Sequence, residues 1–313
     1  MEQTQNEVQG QTPTPSAVRD DRPATVPPFV EPAAQTVSPQ ACSTCGTAPA
    51  SNGGMAASSS WVYAIGRIEA RFPSISVEKE FAQATGRADT KGLTDRQALQ
   101  SVLSKPENRY LLRQLCFVMT IEGLETYILV PRDPADISLL VEALRPTPQP
   151  WDLDVVIGRK GPIAPPQMCN GLMVPIVIFD QIYCFDRDAL IKAIPKPEKT
   201  PAKEFSPAAE ELFDRIMQMT DNAGATDDNR ALNYLAVRYP AIYAKAAEEF
   251  ALNCSLTGVG VQGSALSGTR NVVDVIFSYT NRSTDVTEKF FCRVDVTDEF
   301  PFLVTRLSPY YDR

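Results

Sequence analysis

The sequence predicts an α+β protein: antiparallel strands with segregated helices, in two subdomains behind a disordered N-terminal tail. Three observations predict it. Apolar residues alternate at strand period in stretches joined by short turns, as at Leu115, Phe117, Met119 and Ile121 ahead of Gly123. Elsewhere they recur at helical spacing, as at Ile137, Leu140, Val141 and Leu144. Composition breaks sharply at Trp61 and again across the Pro/Lys-rich PKPEKTPAKEF at 195–205. The expected division is therefore 1–60 tail, 61–194 first subdomain, 195–205 linker and 206–313 second subdomain.

Residues 1–60 carry eight prolines (13, 15, 23, 27, 28, 32, 39 and 49) among Gln, Thr, Ser and Ala. So few bulky apolar residues cannot offset the entropy of ordering, and a flexible tether is expected. WVYAIGRIEARF then reads as a strand, and a helix follows over about 76–85, ended by Gly86. TDRQ at 94–97 is a capping box: Thr94 caps the Gln97 amide and Gln97 reaches back. It opens a helix with Leu99, Val102 and Leu103 on one face. RQLCFVMTI and ETYILV form a hairpin about Gly123. Asp133-Pro134 starts the next helix, and Pro146 stops it. DLDVVIG and VPIVIFDQIYCF are two more strands, with RKGPIAPPQMCNGLMVP as the loop between them.

In the second half, Ser206-Pro207 reads as an N-cap followed by proline at the first helical position. Leu212, Phe213, Ile216 and Met217 lie on that helix. Thr226 caps another, with Asp227 and Asp228 near the positive end of its dipole. Pro240 divides it from a third, striped by Tyr243, Ala246, Ala247 and Phe250. GVGVQG (258–263) falls short of a phosphate loop and reads as a turn. VVDVIFSYT, the turn NRSTD and TEKFFCRVDV then make a hairpin. The apolar end DEFPFLVTRLSPYYDR is expected to dock against it.

Charge and composition exclude several functions. The formal charge is −8 and the sequence pI about 4.8, which disfavours broad binding to nucleic acid or anionic membranes. The longest apolar run, GLMVPIVIF, is far short of the roughly 20 residues of a membrane span. The start, MEQTQNEVQG, has neither a basic nor an apolar region, so no secretory signal is expected. A cytoplasmic setting with reduced thiols fits the odd count of seven cysteines. Histidine is absent altogether. That removes Ser-His-Asp and Cys-His catalysis and His-based proton transfer.

WVYAIGRIEARFPS, VEKEFAQATGR, LCFVMTIEGLETYILVPRDP, GPIAPPQMCNGLMVPIV and EKFFCRVDVTDEFPFLVTRLSPYYDR together resemble the C-terminal domain of the cyanobactin maturation proteases, the PatG/PatA type. The likeness runs from about residue 61 to 313, with a C-x-x-C just upstream. In that family the domain follows a subtilisin-like protease that cleaves or macrocyclises ribosomal precursor peptides. The resemblance implies a partner of that kind, the protease or a precursor peptide. This chain has no histidine for a protease triad and is expected to be a free-standing form of the domain.

Cys42 and Cys45 form the C-x-x-C, with no helix signal after them to support a redox role. Zinc in a histidine-free chain needs thiolates, and one C-x-x-C supplies two. Cys169, in a Pro-rich loop, is the candidate third ligand and Cys116 the fourth. Alternatively two protomers of a homodimer each donate Cys42 and Cys45. Cys184, Cys254 and Cys292 have apolar neighbours and read as core packing. Carboxylates fall on helix starts and charged faces, and no paired-carboxylate site can be argued. No catalytic or cofactor-binding residues are assigned beyond this possible structural zinc. The expected function is a non-catalytic accessory module for scaffolding or docking in ribosomal peptide maturation. The alternatives are a Cys169-centred enzyme and a purely structural zinc-stapled domain.

Overall fold

The computed structural model describes residues 60–87, 91–194, 202–219 and 221–311. The 1–59 segment, with Cys42 and Cys45, and most of the 195–205 linker lie outside the described residues. Gly54–Arg313 form one compact unit. Its helices and two largely antiparallel sheets are the expected α+β class.

The first sheet is a closed five-stranded barrel. Its strands are β1 (Trp61–Arg71), β2 (Cys116–Ile121), β3 (Leu124–Pro131), β4 (Asp152–Ile163) and β5 (Pro175–Asp186), in the order β1-β2-β3-β5-β4. All pairings are antiparallel except β3 with β5. Strand alternation sends one set of side chains inward. Val62, Ala64, Phe117, Met119, Leu129, Val156, Val177 and Phe179 form one buried cluster drawn from all five strands. Helices α1 (Ile75–Arg87), α2 (Asp95–Leu103), α3 (Arg109–Leu112) and α4 (Ile137–Ala143) add Phe81, Val102, Leu111 and Leu140 to it. Each such large side chain stabilises the fold by about 1.5–3 kcal/mol on burial.

Local signals explain the boundaries. The Thr94–Gln97 capping box forms in both directions. The β2–β3 turn is Glu122-Gly123, both at positive φ (51° and 82°), the mirror-image turn that suits a tight hairpin. The Asp133 side chain accepts from the Ala135 amide, and a 3₁₀ turn at Pro134–Asp136 precedes α4. Strand β4 continues to Ile163, so the expected loop shortens to 164–174; its first residues pair with β5 instead.

The second half starts with α5 (Arg187–Ala193), α6 (Ala202–Met219), α7 (Asp227–Arg238) and α8 (Ala241–Ala251). A four-stranded antiparallel sheet follows, β6 (Cys254–Gly263), β7 (Val272–Asn281), β8 (Thr287–Asp295) and β9 (Phe302–Pro309), in sequence order. Val273, Val275, Phe277 and Tyr279 of β7 face Leu212, Phe213, Leu235 and Ile242 of the helices. Two expectations fail here. Helix α6 begins four residues before Ser206, so Pro207 sits inside it rather than at its start. Near a helix N-terminus the proline forfeits a single backbone bond, and burial of the α6 apolar face outweighs that. GVGVQG is strand β6, because pairing along β7 fixes what a glycine-rich stretch leaves open. The apolar C-terminal stretch does dock on its hairpin: β9 pairs with β8, and Leu303 and Leu307 pack on the core.

Helix α7 joins the halves. Tyr234 and Val237 pack on Tyr63, Ile65, Val155 and Ile157, the outer face of β1 and β4. Arg230 of the same helix is fully buried, and its guanidinium donates to the carbonyls of Val296 (2.7 Å), Glu299 (3.1 Å) and Asp298. It thereby holds the β8–β9 turn.

Candidate functional site

Strand β1 changes partners half-way. Trp61–Gly66 pair with β4, and Arg67–Arg71 pair with β2. Gly66 marks the crossover, where a β-carbon would stand 2.5 Å from the Thr120 carbonyl oxygen. The backbone groups of even-numbered residues point to the β4 side: Lys160 N–H donates to Ser60 O (2.8 Å), and Ile68 N–H donates to Asp154 Oδ2 (2.9 Å). Those of Tyr63 and Ile65 point the other way, donating to Gly224 O (3.1 Å) and Asn222 O (2.9 Å). By this alternation the Ala70 amide faces the β4 side, beyond the end of β4 pairing. The second half of β1 is thus paired along one edge.

Three clefts follow this half of β1. The first, about 450 Å³, lies between β1, the Glu122-Gly123 hairpin and the end of α6. The second, about 610 Å³, is bounded by Arg71, Glu125 and the loop carrying Cys169 and Asn170. The third, about 660 Å³, has an apolar floor of Phe72, Phe81 and Leu99 between β1, α1 and α2. The first and third share Glu69; the second and third share Ala70, Phe72 and Glu78. Through these shared residues the three clefts adjoin as a trough beside the second half of β1, lined by both apolar and charged groups.

The wall at the first cleft is rigidly built. The 221–226 connector lies along β1 as an extra rung. Tyr127 Oη donates to Ala223 O (3.0 Å), and Asn233 Nδ2 donates to Tyr63 O (2.7 Å). Burial pushes the Tyr127 phenol pKa up, so it stays a donor. Beneath, Asp154 is buried beside Arg145 (3.2 Å). Burial raises its pKa, against the pull of Arg145 and the Ile68 amide.

The candidate metal ligands divide. Cys116 and Cys169 come together, with Cα atoms 5.8 Å apart. They are bonded to each other as a disulfide, which pins the 164–174 loop over Val118 and Ile128. In that state neither sulfur is a thiolate ligand, and a Cys169 nucleophile is likewise engaged. Both a disulfide-free chain and a zinc role for this pair were expected from sequence; the loop's seating on β2 brings the sulfurs together instead. No group of three or more His, Cys, Asp or Glu suited to a metal occurs among the described residues. Cys254 and Cys292 are buried as expected, but Cys184 is exposed, on the same face of β5 as the buried Ile182.

A carboxylate pair that the sequence did not reveal lies elsewhere. Glu299, in the turn held by Arg230, faces Asp180 of β5, and Arg132 bonds Asp180 at 2.8 Å. Burial, and then the hydrogen bond with Asp180 and its charge, raise the Glu299 pKa to about 7. No sequence signal joins residues so far apart; only docking of the β8–β9 turn on the barrel does.

Residues 199–310 match the family model described as PatG C-terminal. The resemblance read from the sequence stands. The chain is also similar to a solved structure described as "PatG Domain of Unknown Function", with a TM-score of 0.66 and 20% identity, over 80% of this chain and 98% of that one. At that identity the likeness establishes the fold, over a span that includes the barrel. No curated protein matches the chain. No helix among the described residues of this PatG-like chain is long and apolar enough to cross a membrane.

Proposed function

We propose that this PatG-like chain is a non-catalytic docking module in ribosomal peptide maturation, and that it holds an extended segment of a precursor peptide along β1. The observation that carries the reading is the half-paired edge of β1 opening onto the trough of clefts. An extended peptide added there finds backbone partners at Ala70 and side-chain room on either flank, the arrangement of strand-addition recognition. The missing histidine and the PatG C-terminal match support a role beside a subtilisin-like protease, with this chain presenting the peptide that the protease processes.

Fluorescence anisotropy with a labelled precursor peptide tests the reading. Wild type binds, and Ala70→Pro, which removes the outward N–H while leaving the β2 ladder intact, weakens binding about tenfold or more. The variant's melting temperature checks that it is folded. Equal binding by a folded Ala70→Pro chain would overturn the reading.

A further inference from the structure

Two residues that line the first cleft each carry a buried acceptor with nothing to accept from among the described residues. Asn222 is 3% exposed, and its Oδ1 has no hydrogen-bond partner among the described residues; nor has the buried Thr120 Oγ1. The amide orientation of Asn222 is fixed by its neighbours, because Nδ2 donates to Met217 O (2.8 Å) and Glu122 Oε1 (3.4 Å), both acceptors only. Its oxygen is therefore the atom left over. Two local distortions shape this corner: the bulge between Met119 and Thr120, and Glu122 at φ 51°. Bulges commonly re-aim a side chain at a site. Glu69 lines the same cleft and has no ion-pair partner among the described residues. Of the other charged groups lining the cleft, Arg67 donates to Pro150 O, and Asp214 pairs with Arg187 (3.2 Å).

A buried acceptor left unpaired is costly, so a ligand that supplies a donor recovers that cost on binding. The complementary ligand has several donors, no acceptor and positive charge. We infer that the first cleft is a subsite for the ammonium or guanidinium of a lysine or arginine side chain. This inference rests on the peptide-docking reading for how the side chain arrives, with β1 carrying the backbone and the cleft taking the cationic end. Asn222 Oδ1 and Thr120 Oγ1 receive its N–H groups, and Glu69 and Glu122 supply the opposing charge.

Two probes separate the subsite from the docking reading. The full chain is titrated with n-butylammonium, and separately with two acetylated, amidated pentapeptides, Thr-Val-Lys-Val-Thr and the same peptide with norleucine for lysine. Binding is followed by amide chemical shifts, including the Asn222 side-chain NH₂. The expected result is that n-butylammonium shifts the Asn222 signals, and that the lysine peptide binds about tenfold tighter than the norleucine peptide. Glu69→Gln and Thr120→Val each shrink that ratio. Shifts with n-butylammonium but no binding of either peptide would retain the subsite and sink the docking reading. Equal affinity for the two peptides, or no response to n-butylammonium because water alone fills the cleft, overturns the subsite.

Discussion

The backbone of Gly224 lies so close to that of Tyr63 that a β-carbon at 224 would stand 2.0 Å from the Tyr63 carbonyl oxygen. Gly224 also has φ 58°, a conformation other residues adopt at a cost. The contact seats the 221–226 connector on β1 and so builds one wall of the first cleft. Gly224→Ala is expected to destabilise the protein by about 3–5 kcal/mol, from clash and strained φ together. Urea denaturation measures the loss. A variant as stable as wild type would mean that the connector does not hold this contact.

Arg230 ties α7 to the β8–β9 turn inside the second half. Its guanidinium satisfies three carbonyls of the β8–β9 turn and pairs with Asp227 at 3.1 Å. Arg230→Met leaves buried carbonyls without donors and is expected to cost about 3–5 kcal/mol. Arg230→Lys should recover only a small part of it, since one ammonium cannot span the three acceptors. Matching stabilities for the lysine variant and wild type would contradict the fork geometry.

The Glu299–Asp180 pair makes stability depend on pH. The folded-state pKa of Glu299 is raised to about 7 from the usual 4.5. Between those values the folded chain keeps a proton that the unfolded chain has released. Stability from this source is complete below about 4.5 and is lost as pH rises through about 7. Arg132 and Arg159 oppose the shift, and burial with Asp180 drives it. Wild type should lose on the order of 1–2 kcal/mol relative to Glu299→Gln between pH 4.5 and 7.5. Parallel pH profiles for the two proteins would remove Glu299 as the cause.

The disulfide makes a covalent prediction. A non-reducing digest should yield the Cys116 and Cys169 peptides linked. The bond closes a span of 53 residues, and reduction should therefore lower stability by about 2–4 kcal/mol. A Cys116→Ser, Cys169→Ser chain should show no response to reductant. Free thiols at both positions, with about one zinc per chain by elemental analysis, would instead favour the ligand set Cys42, Cys45, Cys169 and Cys116.

The sequence by itself determined the local structure. Alternation at Val273, Val275, Phe277 and Tyr279 fixed a strand and its buried face, and the Thr94–Gln97 box fixed a helix start, because these signals depend on neighbours within a few residues. The likeness to the PatG C-terminal domain was legible for the same reason, as runs of residues read in order. GVGVQG and Ser206-Pro207 misled, because their local preference is weak or costs little and a distant partner decided the outcome. The trough along β1, the orphaned oxygens of Asn222 and Thr120, the Glu299–Asp180 pair and the Cys116–Cys169 bond each unite residues far apart in the chain. Tertiary packing alone decided them, since closing the barrel and laying the 221–226 connector on β1 sets distances that no spacing along the sequence encodes.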